Sequence, residues 1–399
     1  MPGFARRLPR WRCRRIRRCP GTLLSAGTTR SLRRLLATNG LADLPETAFP
    51  NDGWSGATLT ALQRGDERFI LKRTSSRADW IVRATGDLRL REAFMAGSGP
   101  RLVDPLVAPY LGAGRDGGAV AILMPDLSNE LIAWERPGGP VIGPATLDRV
   151  IDAIARLHAM PWADYGPTSR GWGWPWCPLP GRLLLLSRPA AERYRAEGLA
   201  VGDRFLDGWD AFDRTASAAA VTLIDRLAGD PSPLLKALRA LPETGLHGDL
   251  KLANVALLDD GRVALVDWQL MTLAPVAVEL GWLLVSNSAL LPIGPDEVLA
   301  RYRAAAQRAA RDPLVMGGRW PAVGAPPGKP ITLPPRGLDA TIGDWELQRD
   351  LAWIIGLLAR GWRKGLDAEA GAVLPTGVSA ADDLAWWSRR ALEAAGRRF

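Results

Sequence analysis

One stretch of 24 residues decides the fold: LHGDLKLANVALLDDGRVALVDWQ, at positions 246–269. Residues 255–258 (VALL) and 263–266 (VALV) are apolar and have the length of short strands. The sequence Asp259-Asp260-Gly261 between them is typical of a tight turn. We therefore predict a β-hairpin, which returns the chain to the point where the first strand began.

The hairpin brings three polar side chains together. Asn254 stands just before its first strand and Asp267 just after its second, so Asp267 is expected beside Asn254 and Asp249. Two carboxylates and an amide oxygen at one hairpin mouth suit Mg²⁺, a hard cation that prefers oxygen ligands. Asp249 is then left to accept the proton of a hydroxyl group.

The chain around this segment changes from strands to helices. Residues 57–62 and 68–73 have strand character, a helix is expected at 87–96, and the apolar run 119–124 predicts a buried strand. Helical periodicity dominates after residue 145. The predicted helices there are 146–160, 216–227, 276–286, 295–310, 342–362 and 380–395.

The positive charge of the chain is concentrated at its start. The net charge is +9, but residues 1–34 contain 11 Arg and no acid, and the rest carries 40 basic and 42 acidic side chains. Residues 1–42 are therefore interpreted as a basic, disordered tail; an over-extended translation start and an arm for nucleic acid or anionic membrane remain alternatives. A folded surface without excess positive charge predicts no specific nucleic-acid partner.

Other features exclude several classes of protein. Three cysteines without a CxxC pair and two histidines predict neither a disulfide framework nor a zinc site. The most apolar long stretch, 270–291, contains Pro275 and Glu279, which excludes a transmembrane span. We expect a cytoplasmic protein, and the oligomeric state is left open.

The 246–269 segment resembles the catalytic loop of the kinase-like fold, H-x-D-L-x-x-x-x-N followed by a metal-binding Asp. His-Gly-Asp and Asp-Trp-Gln resemble the versions found in the aminoglycoside phosphotransferase and choline kinase branch. The resemblance spans roughly residues 45–365. It implies an α+β, two-lobed, protein-kinase-like fold, with a small β-rich N-lobe at 43–127 and a larger, mainly helical C-lobe at 128–399.

The resemblance also implies roles for the loop residues. Asp249 corresponds to the catalytic Asp that orients and deprotonates the acceptor hydroxyl, and Lys251 lies near the transferring phosphate, where it can neutralise developing charge. Asn254 and Asp267 correspond to the Mg²⁺ ligands. The cofactors implied are ATP, or GTP, with Mg²⁺. His247 is expected to brace the loop backbone.

The small lobe supplies an independent prediction. A kinase needs a strand lysine on the nucleotide phosphates that pairs with a helix glutamate. Lys72 lies in the strand RFILKR, and Glu92 is the only Glu between residues 68 and 129. Residues 51–56, with Ser55, stand where the nucleotide-covering loop is expected, although they lack G-x-G-x-x-G.

The sequence LMPDL resembles the hinge between the lobes, where backbone groups hold the adenine. Matching it to the family makes the carbonyl of Pro125 the acceptor and the N–H of Leu127 the donor. Proline keeps its carbonyl, so it is tolerated at an acceptor-only position. A plain interdomain linker is the alternative.

The acceptor side is less defined. Residues 161–213 form a variable insertion with Trp162, Trp172, Trp174, Trp176 and Trp209, which either pack in the core or contact the acceptor. Asp203, Asp207, Asp210 and Asp213 line one helix face, and Asp344, Glu346 and Asp350 lie on another helix. Each set either forms a solvent-exposed helix face or provides an acidic surface that binds a polycationic acceptor.

Only eleven residues separate Asp267 from Glu279, which leaves no room for a long activation loop. Glu279 is expected to anchor the catalytic loop by hydrogen bonds. We expect a phosphotransferase that moves the γ-phosphoryl group of ATP to a hydroxyl of a small molecule. The alternatives are a kinase of a protein or other large substrate, and a catalytically inactive nucleotide-binding protein.

Overall fold

A computed structural model describes residues 30–50, 53–99, 102–132, 142–160, 162, 174–312, 315 and 342–399. It confirms the two-lobed α+β architecture. The sheet of the smaller lobe is antiparallel, with the order β1-β2-β3-β6-β5. Its strands are β1 (Thr47–Ala48), β2 (Thr58–Arg64), β3 (Glu67–Thr74), β5 (Gly112–Asp116) and β6 (Ala119–Pro125).

Three helices accompany this sheet: α1 (Leu32–Thr38), α2 (Trp80–Ala84) and α3 (Arg91–Ser98). The helix expected at 87–96 begins at Arg91, because Asp87 and the left-handed Leu90 precede it in a turn. The separate helix α2 was not predicted. Asp79 caps α2 by accepting from the N–H groups of its first turn.

Helix α1 corrects the predicted tail. Leu35 and Leu41 are fully buried and share an apolar cluster with Leu71 of β3 and Leu123 of β6. The sequence interpretation placed residues 30–42 in the tail because arginines dominate their charge. The three leucines of α1 and its Ser31 cap instead pack it on the sheet, so the folded chain begins before residue 43. Residues 1–29 lie outside the described residues.

The larger lobe is mainly helical. Its longest described helix, Trp345–Glu369 (α12), packs against α7 (Ala200–Thr215), α10 (Ala277–Asn287) and α13 (Ala380–Arg398). The described helices are α4 (Pro144–Ala159), α5 (Leu179–Leu183), α6 (Arg188–Ala196), α7 (Ala200–Thr215), α8 (Ala218–Gly229), α9 (Ser232–Leu238), α10 (Ala277–Asn287), α11 (Pro295–Ala309), α12 (Trp345–Glu369) and α13 (Ala380–Arg398). None of the helices in the described part of the chain is long and apolar enough to cross a bilayer.

Short strands carry the polar loop of the larger lobe. The predicted hairpin is present as β8 (Val255–Leu257) and β9 (Val263–Leu265), and β9 also pairs in parallel with β4 (Leu106–Val107). A second antiparallel pair joins β7 (Thr244–Leu246) to β10 (Thr272–Ala274). These pairings hold both ends of the 246–269 segment in the core.

Candidate active site

The loop after β7 turns sharply at Gly248. Its φ is +85°, and a Cβ atom there would lie 1.9 Å from the carbonyl oxygen of Leu270. Only glycine combines this backbone angle with so close an approach. The turn carries the chain from the buried β7 to Asp249, whose side chain is 13% exposed.

Glu279, at the start of α10, stabilises this turn by accepting hydrogen bonds from its backbone. Its Oε1 accepts from the N–H of Gly248 (2.6 Å), and its Oε2 accepts from the N–H of His247 (3.0 Å). The Nε2 of His158 also lies 2.9 Å from Oε2. Burial opposes the charge of this carboxylate, but the hydrogen bonds outweigh burial and lower the pKa of Glu279. The predicted anchoring of the catalytic loop by Glu279 is confirmed.

Asp249, Asn254 and Lys251 form a compact polar group. The amide Nδ2 of Asn254 donates to the carbonyl of Asp249 (2.8 Å) and to its Oδ2 (3.1 Å). The Nζ of Lys251 lies 3.3 Å from the same Oδ2. The attraction of Asp249 outweighs burial and raises the pKa of Lys251. These contacts fix the orientation of the Asp249 carboxylate.

The hairpin brings Asp267 to this group, as its length predicted. The N–H of Val266 donates to the carbonyl of Asn254 (3.0 Å), and the carbonyl of Val266 lies 2.9 Å from Nε2 of His247. Asp267 follows in the left-handed region, with a φ of 67°. This rare conformation for a non-glycine residue turns its side chain away from the hairpin and toward the small lobe.

Lys72 of β3 bridges the two lobes. Its Nζ lies 2.6 Å from Oε2 of Glu92 and 2.9 Å from Oδ1 of Asp267. Burial disfavours the lysine charge, but Asp267 and Glu92 outweigh burial and raise the pKa of Lys72. Lys72 and Lys251 in turn outweigh burial at Asp267 and lower its pKa to about 2. Glu92 is buried and also accepts from the hydroxyl of Tyr110 (2.9 Å).

The oxygen atoms of this site fit a divalent cation with an incomplete protein shell. The Nδ2 of Asn254 donates to Asp249. Within the described residues no donor reaches the amide oxygen of Asn254, which leaves this oxygen available to a cation. Within the same ranges no group of three or more His, Cys, Asp or Glu side chains is placed to hold a metal. Asn254 and Asp267 would therefore supply two ligands, and phosphate oxygens and water the rest, as is usual for Mg²⁺.

The loop before β2 is tied to helix α2. The carbonyls of Trp54 and Ser55 accept from the indole and backbone N–H groups of Trp80 (2.7 and 3.0 Å). The hydroxyl of Ser55 accepts from the N–H of Ala57 (3.3 Å). The segment of the predicted nucleotide-covering loop that precedes Gly53 lies outside the described residues.

The predicted hinge lies where β6 ends. Pro125 is the last residue of β6 and is in register with Phe69 of β3. The N–H of Asp126 donates to the carbonyl of Arg68 (2.9 Å), which ends the sheet pairing. Leu127 follows as the chain leaves for the larger lobe, and its carbonyl accepts from two N–H groups of the next turn.

The described tryptophans of the insertion are mainly core residues. Trp174 is buried, packs 4.9 Å from the ring of Phe94 in α3, and donates to the sulfur of Met271 (3.0 Å). Trp162 and the half-buried Trp176 complete this cluster, and Trp209 is buried elsewhere in α7. Trp172 lies outside the described residues.

The acidic residues do not form a wall at the site. Asp210 and Asp213 are exposed and pair with Arg188, and Asp203 and Asp207 are exposed on the same helix. Asp344 caps α12, Glu346 pairs with Arg349, and Asp350 pairs with Arg397 and Arg398. The solvated-face interpretation fits α7, and the α12 acids serve the helix and its packing.

Two arginines near the catalytic loop were missed in the sequence. Arg182 of α5 is buried, and its Nε donates to the carbonyl of Gly248. Arg360 of α12 is close enough to Asp249 for the carboxylate to act on its pKa. No local pattern marks either arginine, since each reaches the loop only through the packing of a distant helix.

Several solved structures are similar to this chain. One similar structure is a putative aminoglycoside phosphotransferase from Ralstonia eutropha, with 16% identity, a TM-score of 0.47, and coverage of 92% of this chain and 98% of that one. Another is a choline/ethanolamine kinase family protein from Mesorhizobium loti, with 17% identity, a TM-score of 0.39, and coverage of 90% and 96%.

A third similar structure is an amicoumacin kinase in complex with AMP-PNP and Ca²⁺, with 13% identity, a TM-score of 0.41, and coverage of 90% and 92%. No curated protein matches the chain. A sequence model of the phosphotransferase enzyme family matches residues 46–316. That match covers well over half of the chain and includes the whole 246–269 segment, so this protein belongs to the phosphotransferase enzyme family.

Proposed function

We propose that this phosphotransferase moves the γ-phosphoryl group of ATP, or GTP, to a hydroxyl group of a small molecule. The observation that carries the proposal is the contact of Lys72 with both Glu92 and Asp267, at 2.6 and 2.9 Å. A lysine held between carboxylates of the two lobes is the arrangement that positions nucleotide phosphates in kinase-like enzymes. Asp249, in the adjacent loop, would receive the acceptor hydroxyl.

Each residue has a distinct task in this proposal. Lys72 holds the nucleotide phosphates, and Asn254 and Asp267 hold Mg²⁺, which would neutralise phosphate charge when bound. Asp249 orients the acceptor hydroxyl and takes its proton as the oxygen attacks phosphorus. Lys251 stabilises the negative charge on the transferring group.

The backbone groups of Pro125 and Leu127 are proposed to hold the nucleobase, and Ser55 to lie over the phosphates. The short connection between Asp267 and Glu279 favours a small acceptor over a regulated protein substrate. We propose the cytoplasm, where Mg-ATP is abundant, as the compartment of the reaction.

A library of small hydroxyl compounds, incubated with the protein and Mg-ATP, tests the proposal by mass spectrometry. We expect at least one compound to gain a single phosphoryl group. Asp249→Asn should lower turnover by roughly 10²–10⁴-fold with little change in nucleotide affinity, because a positioned base contributes about that factor.

The matched control is Asp260→Asn, at the exposed tip of the hairpin, where the carboxylate pairs with Arg262. It removes the same charge from the hairpin that follows the Asp249 loop, but it should leave turnover unchanged. Equal turnover in wild type and Asp249→Asn would show that Asp249 is not the base. Nucleotide binding without transfer to any hydroxyl would favour the catalytically inactive alternative.

A further inference from the structure

The wall of the larger lobe beside Asp249 is basic. Four arginines from three helices form it, and we call them the arginine wall: Arg182 of α5, Arg204 of α7, and Arg360 and Arg363 of α12. Arg360 interacts electrostatically with Asp249, Arg204 and Arg363. Arg182 touches the catalytic loop directly through the carbonyl of Gly248. Arg182 and Arg360 therefore lie close to the proposed catalytic base, with Arg204 and Arg363 beside Arg360.

Only one of the four arginines of this wall forms an ion pair with a carboxylate of the described residues. Arg363 pairs with Asp367. Within the described residues, Arg182, Arg204 and Arg360 form no ion pair with a carboxylate. Desolvation, followed by repulsion from Arg363, lowers the pKa of Arg360 to about 10, and desolvation also lowers the pKa of Arg182. Asp249 attracts both Arg182 and Arg360, and Asp367 attracts Arg360, but none of these carboxylates pairs with them. An anion from outside the chain would therefore stabilise these guanidinium groups.

Indole rings hold the guanidinium groups in place. Trp282 contacts both Arg182 and Arg360, whose Cζ atoms are 4.5 and 5.5 Å from its ring centroid. The Cζ of Arg360 is also 5.5 Å from the ring of Trp362. Such contacts orient the guanidinium planes while leaving their N–H edges available. The indole N–H groups of Trp282 and Trp362 are buried and have no acceptor within the described residues.

The arginine wall also contacts the loop that precedes β2 in the small lobe. The ring of Trp54 lies 6.4 Å from that of Trp362, and the Cζ of Arg204 is 3.4 Å from the centroid of Trp54. Trp54, in the described part of this loop, therefore contacts the arginine wall. A ligand on the wall would lie between this loop and Asp249, where an acceptor has to lie for transfer.

We propose that the acceptor is an alcohol that carries an oxyanion, a phosphate or a carboxylate, bound by Arg360 and Arg204 while its hydroxyl meets Asp249. This inference rests on the proposed function and names its substrate class. Arginine binds both oxyanions with paired N–H groups. The acidic residues that would favour a polycation lie elsewhere: Asp210 and Asp213 pair with Arg188 on the outer face of α7.

Isothermal titration tests the proposal without requiring turnover. The protein, saturated with Mg-AMP-PNP, is titrated with glycerol 3-phosphate, glycerate, glycerol, choline and inorganic phosphate. We expect saturable binding of at least one of the two anionic alcohols, at least tenfold tighter than that of glycerol or choline. The two anionic alcohols distinguish a phosphate from a carboxylate, and inorganic phosphate reports on the oxyanion alone.

Variants identify the residues responsible. Arg360→Gln should weaken anion binding at least tenfold without changing AMP-PNP affinity. Arg303→Gln is the control, because Arg303 also lies over an indole ring, 5.7 Å from Trp345, but on α11. If Arg360→Gln unfolds, Arg204→Gln on the exposed side of the wall replaces it, with the same expected direction.

Three results would overturn the inference: binding of glycerol or choline as tight as that of the anions, no binding of any anion, or a loss confined to AMP-PNP affinity in Arg360→Gln. The last result would assign the wall to the nucleotide. A separate titration of the wild-type protein with Mg-AMP-PNP comes first, and failure to bind it would instead contradict the proposed function.

Discussion

Replacing Glu279 by Gln changes one buried charge beneath the catalytic loop and almost nothing in volume. The carboxylate accepts from three N–H donors: the backbone N–H groups of His247 and Gly248 and the ring of His158. A carboxylate accepts at both oxygens, whereas an amide accepts at one and donates at the other. In its best orientation the new amide would therefore leave the Gly248 N–H facing an NH₂ group.

The expected loss follows from these contacts. An unsatisfied buried donor costs about 1–3 kcal/mol, and hydrogen bonds to a charged acceptor exceed neutral ones by roughly 1 kcal/mol each. With one unsatisfied donor and two weakened hydrogen bonds, we expect Glu279→Gln to lower the free energy of unfolding by about 3–5 kcal/mol. Turnover should also fall, because Gly248 positions Asp249.

Urea unfolding of wild type, Glu279→Gln and Glu297→Gln measures this loss. Glu297 is exposed on α11 and pairs with Arg301 at 2.9 Å, so the same substitution there should cost about 0–1 kcal/mol. Equal midpoints for the two variants would refute the reasoning, since it assigns the loss to burial and to the three donors.

Asp267→Ala should raise the Mg²⁺ concentration needed for AMP-PNP binding by roughly 10–100-fold, because it removes a proposed ligand; an unchanged metal titration would contradict the assignment. Gly248→Ala should destabilise the protein by about 1–3 kcal/mol more than Gly261→Ala, because the added methyl group meets the Leu270 carbonyl. Both glycines have a φ of +85°, but a Cβ at Gly261 meets nothing within 4 Å, so equal melting temperatures would disprove the clash. Leu35→Ala should lower the free energy of unfolding by about 2–5 kcal/mol, because it leaves a cavity at a buried site, whereas Leu88→Ala should change it little, because Leu88 is 68% exposed. Similar urea midpoints for the two variants would show that α1 does not pack on the sheet.

Several features of the site follow from local sequence. The turn Asp259-Asp260-Gly261 and its two apolar runs predict a hairpin, and the hairpin length alone places Asp267 beside Asn254. The pairing of Lys72 with Glu92 was also predictable, because Glu92 is the only Glu between residues 68 and 129. In the first case a short hairpin joins the two residues, and in the second only one glutamate is available in the expected range. Neither prediction requires knowledge of how the helices pack.

Other features depend on tertiary structure. The arginines of 30–34 mask the leucines that pack α1 on the sheet, since charge composition does not show which face of a short helix is covered. Arg182 lies 66 residues before Gly248, and Arg360 lies on a helix near the end of the chain. Both come close to the loop only because α5 packs against β10 and α12, and α12 packs against α10. Helix periodicity predicts which face of a helix is buried, but not which neighbour covers it, and so only the folded chain shows that the wall beside Asp249 is basic.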